Sequence, residues 1–127
     1  MNAEQKLEKA LDDYCFAHEE LMRPEEDVVL LSACYSVKRA IRGFLEGYLD
    51  SVHAGFLPGD NLETLMQKCI MKNPDFLRFN VDVLQCKCDS AACSAKSYCM
   101  TMDQVKSCMD LMSELCEFIL GLRVRHT

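Results

Sequence analysis

The chain has no long apolar run. Nowhere in its 127 residues is there a stretch near the roughly 18 apolar residues that a membrane-spanning helix needs. Its opening, MNAEQKLEKALDDY, is charged and lacks the apolar centre of a secretory signal, so a cytoplasmic location is expected. Five glycines and three prolines leave little loop. Basic residues are short: fourteen against twenty acidic ones give a net charge of −6, which argues against an extended nucleic-acid surface. The deficit is uneven, with twelve acids and six bases in residues 1–60 but eight of each in residues 61–127. Only three histidines occur, His18, His53 and His126, and none stands with a cysteine or serine in a nucleophilic arrangement. A glycine-rich phosphate loop is also missing. Half of the residues are hydrophobic, which excludes general disorder. The length suits one domain, residues 1–127, with a core of its own.

Cysteine is abundant, at nine residues. An odd count without a signal peptide points to free thiols in a reducing compartment. Cys15, Cys34, Cys69, Cys108 and Cys116 fall inside helical patterns and read as small buried hydrophobes. The other four form a cluster, Cys86-x-Cys88-x4-Cys93-x5-Cys99. Four thiolates suit tetrahedral zinc, but the spacing lacks the paired C-x2-C knuckle, so unligated thiols are the competing reading.

The punctuation at Arg23-Pro24, Gly55–Gly59 and Asn73-Pro74, and the polar stretch 88–97, divides the chain into helices. The first is expected from Ala3 to Met22, with Leu7, Leu11, Tyr14, His18 and Leu21 as its inward stripe. His18 reads there as a core or boundary residue. The second is expected from Pro24 to His53, started by proline and three acids and stopped near Gly55. The third spans Leu62–Lys72, capped by Asp60 or Asn61, with a further turn at Asp75–Phe79. The last begins at a capping box, Thr101-Met-Asp-Gln104, and carries Val105, Cys108, Met109, Met112, Leu115, Cys116, Ile119 and Leu122 on one face. Helices of this length with no convincing strand predict an all-α fold, an antiparallel up-and-down bundle of four or five helices.

The second helix holds the candidate functional residues. Ser36, Ala40, Gly43 and Gly47 form a column of small side chains. Each mid-helix glycine costs roughly 1 kcal/mol against alanine, so the column predicts close approach of another helix, either within the chain or across a subunit interface. Lys38, Arg39 and Arg42 form a basic group. They read either as a solvated face with partners such as Glu46, or as a contact for an anion or nucleotide. Asp50-x-x-His53 is a single copy of the motif that di-iron bundles need twice, so no such site is expected.

Three segments resemble the HEPN family of helical nucleotide-binding domains. Leu31-Ser-Ala-Cys-Tyr-Ser-Val-Lys-Arg-Ala-Ile-Arg-Gly-Phe-Leu45 resembles the family's A-x-x-A-x-K-A-x-x-A-x-L helix. Leu62-Glu-Thr-Leu-Met66 stands where the family has H-S/D-L-x-x-L, with Glu63 in place of histidine. Tyr98 followed by Thr101-Met-Asp-Gln-Val105 resembles the entry to the family's last helix, with Ser97 in place of arginine. The resemblance implies a helical bundle, often a homodimer. It further implies one of several roles: a metal-independent ribonuclease, a partner of a small nucleotidyltransferase in a toxin–antitoxin pair, or a nucleotide-binding or interaction module.

The family's nuclease motif is an arginine followed four to six residues later by a histidine, and this chain has no pair in that order and at that spacing. Ala95–Asp103 contains neither residue, Arg123-x2-His126 is too close, and His18 precedes Arg23 on the first helix. The expectation is therefore a non-catalytic HEPN-like interaction or nucleotide-binding module, a cytoplasmic homodimer without a cofactor. A degenerate HEPN ribonuclease and a metal or thiol sensor built on Cys86–Cys99 are the alternatives.

Overall fold

The computed structural model describes residues 2–24, 30–79 and 102–125. Four helices make an all-α bundle, and no strand occurs among the described residues. They are α1 (Ala3–Leu21), α2 (Leu30–Ser51), α3 (Leu62–Lys72) and α4 (Met102–Arg125), with a 3-10 turn at Pro74–Arg78 after α3.

α1 begins at a reciprocal cap. Asn2 Oδ1 accepts from the Gln5 amide at 2.8 Å, and Gln5 Oε1 accepts from the Asn2 amide at 3.0 Å. Two of the amides that a helix start leaves without partners are satisfied in this way. The inward face is turned slightly from the expected stripe. Leu7, Ala10 and Ala17 are fully buried, Leu11, Tyr14 and Leu21 pack at the core's edge, and His18 is exposed, its ring stacked on Tyr14. Alanines lie at the centre of the contact because the helix opposite offers only small side chains there.

That helix is α2. It runs antiparallel to α1, as the pairings from one end to the other show. Lys6 meets Asp50 at 2.6 Å, Leu7 lies against Gly47, Ala10 against Gly43, and Asp13 faces Arg39 at 3.9 Å. α2 is the central element. Ala33, Cys34, Val37, Ala40, Ile41, Phe44, Leu45 and Leu49 are all fully buried, on most of its circumference. It stops at Ser51, before the expected glycine. His53 takes the left-handed conformation, φ 57°, and the Ala54 amide reaches back to the Leu49 carbonyl at 2.8 Å. This is the glycine-type helix stop, performed here by a histidine. The expected start of α2 at Pro24 and the Thr101 cap of α4 fall on or beside residues 25–29 and 80–101, outside the described residues.

α3 matches the expected span, and of the two cap candidates Asn61 serves: its side chain accepts from the Thr64 amide at 2.8 Å. Asp60 is engaged instead with Lys68 and the Leu57 amide. Successive contacts on α2 advance in the same sense as α2 itself. Arg42 reaches the carbonyls of Pro58 and Asp60, Cys69 Sγ faces the Leu45 carbonyl, and Phe76 packs on Tyr48. The connection 52–61 thus makes the return, and the up-and-down order is seen between α1 and α2.

The buried side chains form one cluster shared by all four helices and the 3-10 turn. Its far end is aromatic. Phe76 meets Tyr48, Phe79 and Phe118 with ring centroids 4.7, 6.1 and 4.9 Å away, and Phe79 meets Phe118 at 5.3 Å. The tilted and edge-on geometry is the favoured one for such rings.

Candidate anion-binding groove

Adjacent numbers do not make a shared face on a helix. Lys38 stands three and seven residues before Ile41 and Leu45, so it follows their stripe into the core, whereas Arg39 is turned a further 100° or so. Lys38 is 0% exposed, and among the described residues its Nζ has no hydrogen-bond partner. The expected basic group is therefore split: Lys38 is interior, while Arg39 and Arg42 point to a surface groove.

The groove, about 350 Å³, lies along the α1–α2 seam. Ala10 and Gly43 are its floor, and Lys6, Lys9, Arg39 and Arg42 stand around it with Asp13 and Glu46. Four cations against two carboxylates is a local reversal of the chain's overall charge. The cations differ in how tightly they are held. Lys6 is bound to Asp50 at 2.6 Å, and its Nζ lies 4.6 Å from the centre of the Phe56 ring. Arg42 pairs with Glu46 at 2.9 Å, the i,i+4 partner expected from sequence, and donates to Asp60 O at 2.7 Å and Pro58 O at 2.8 Å. Arg42 is thus the clamp of the 52–61 connection. Arg39 is looser: it faces Asp13 at 3.9 Å, its guanidinium lies 5.6 Å from the Tyr35 ring centre, and 41% of its side chain is exposed. Lys9 is exposed.

Lys6 and Lys9 were not singled out from the sequence, where they are two of several charges on the outer part of α1. Only the pairing of α1 with α2 brings them opposite Arg39 and Arg42.

The small-residue column makes this groove. A Cβ placed on Gly43 would lie 2.9 Å from Ala10 Cβ, and one on Gly47 would lie 2.7 Å from Leu7 Cδ2. Ser36 and Ala40 are buried in the single chain as well. Of the two readings of Ser36, Ala40, Gly43 and Gly47, the structure shows the intramolecular one at the glycines: α1 of the same chain occupies the position a second subunit would need.

A second groove, about 570 Å³, opens between the 3-10 turn and α4, where Arg78, Asp75, Glu117, Phe118 and Gly121 line it. The Arg78 guanidinium stacks 5.0 and 5.2 Å from the ring centres of Phe79 and Phe118. This cation is engaged by the aromatic cluster behind it.

The thiols divide by environment. Cys34, Cys69, Cys108 and Cys116 are buried, as expected, but Cys15 is exposed. Burial pushes the Cys69 thiol up to about 12, which leaves it protonated and inert at neutral pH. Cys116 is pushed up mainly by burial, and further by the neighbouring charges of Glu117 and Cys15. No group of three or more metal-ligating side chains occurs among the described residues, and Cys86, Cys88, Cys93 and Cys99 lie outside them. Among the described residues no helix is long and apolar enough to cross a membrane.

No family model, no curated protein and no solved structure matches the chain, so the HEPN resemblance rests on the three quoted segments alone.

Proposed function

We propose that the protein is a non-catalytic binding module that takes the phosphate of a nucleotide in the α1–α2 groove. One observation carries this reading: on a chain of net charge −6, four cations from two helices surround a cleft whose floor is alanine and glycine. A floor with no side chain larger than a methyl admits a flat or bulky ligand, and the rim supplies charge. Arg39 and Lys9 are the cations with capacity to spare, because Lys6 and Arg42 are fixed by short internal contacts. Arg39 meets its present partner at a distance where an arriving phosphate competes well, since a guanidinium forms two parallel bonds to phosphate oxygens. The HEPN resemblance points the same way and adds a nucleotidyltransferase as the protein partner to seek.

The test is calorimetric titration of the full chain with ATP, and separately with pyrophosphate, at low ionic strength. Binding is expected to weaken steeply with salt. Lys9→Ala combined with Arg39→Ala should weaken it at least tenfold without moving the melting temperature. No binding of either probe, or binding indifferent to the double variant, would sink the reading. Cleavage of unstructured RNA in EDTA, co-purifying with the chain, would overturn its non-catalytic half.

A further inference from the structure

We propose that Cys15 of α1 and Cys116 of α4 are a redox pair that closes into a disulfide across the α1–α4 junction. The junction is marked by a hydrogen bond between Tyr14 Oη and Ser113 Oγ, 3.2 Å apart. Cys15 is the next residue on α1, and Cys116 stands one turn beyond Ser113 on α4, near the same edge of that helix. Cys15 is near enough to Cys116 to add to the upward shift that burial and Glu117 give its thiol. They differ in exposure: Cys15 is open to solvent, whereas Cys116 is 8% exposed. Cys34, Cys69 and Cys108 are buried. A disulfide needs a Cα separation of about 4.4–6.8 Å.

The asymmetry suits a two-step oxidation by a hydroperoxide. The Cys15 thiolate attacks the peroxide O–O bond and becomes a sulfenic acid, and the leaving oxygen takes up the thiol proton. The Cys116 sulfur then attacks the Cys15 sulfur. The S–O bond breaks, and the Cys116 proton leaves with the hydroxyl as water. Two thiols lose two electrons and two protons, and one peroxide is reduced. The product ties the first helix to the last and closes a loop of about 100 residues, the long-loop case in which a cross-link restrains the unfolded chain most.

Peptide mapping of the full chain after brief treatment with hydrogen peroxide tests this. Cleavage after glutamate isolates Cys15 in Lys9–Glu19 and Cys116 in Leu115–Glu117. The expected result is one peptide joining these two, lost on adding dithiothreitol and absent from Cys15→Ser. Oxidation should also raise the wild-type melting temperature by about ten degrees relative to Cys15→Ser. Recovery of Cys15 only as a sulfur acid, or joined to another cysteine or to a second chain, would overturn the proposal.

Discussion

The two ends of the core are built on opposite plans. Along the α1–α2 seam the contact is between backbones, with Ala10 on Gly43 and Leu7 on Gly47, and there is no room for one more carbon. At the junction of α2, the 3-10 turn and α4, the contact is between rings, with Phe76 enclosed by Tyr48, Phe79 and Phe118. The seam fixes how near two helices lie. The ring cluster fills a space that no pair of helices would close without it. The first is sensitive to added atoms and the second to removed ones.

The largest expected effect breaks the aromatic end. Phe76→Ala leaves a cavity that the surrounding rings cannot fill and should cost about 3–5 kcal/mol in denaturant unfolding. A cost under ~1 kcal/mol would mean that the rings rearrange freely and do not brace the 3-10 turn. The seam is broken from the other side. Gly43→Ala puts a methyl 2.9 Å from Ala10 Cβ and should cost about 1–3 kcal/mol, although alanine is the better helix former. Gly121→Ala is the control: nothing lies within 4 Å of its new methyl, so it should stabilise by up to about 1 kcal/mol. Equal signs for the two glycines would refute the close contact. A further variant sharpens the contrast at a site belonging to neither end. Lys38→Met keeps the length of the buried stem and removes an amine without a partner among the described residues, so it should stabilise by about 1–2 kcal/mol. Lost stability would show that the amine is paired.

Much of this was legible in the sequence, and the failures have physical causes. The bounds of α3 follow from Asn61 and Pro74, and the inward faces of α2 and α4 from their apolar spacing. The small column predicted a close helix, but a single chain's pattern does not say whose helix it is. Lys38 was grouped with Arg39 and Arg42 because their numbers adjoin, although the rotation between consecutive helical residues already separated them. Glu20 lies in the acidic end of α1, yet it is 9% exposed and pairs with Arg23. The groove itself was hidden, because half its cations belong to α1 and meet the other half only through tertiary pairing.

The hairpin of α1 and α2 has a consequence for the order of assembly. Every contact of its seam lies within the first 51 residues, and Lys6 further gathers Phe56 from the connection that follows. During synthesis, about 5–20 residues are added each second and the N-terminal part emerges first. Every residue of the seam is therefore made before α4, and the apolar face of α2 lacks its partners until α3, the 3-10 turn and Val105–Ile119 follow. A hairpin that closed in that interval would carry one greasy side, the surface a chaperone or a premature partner would meet.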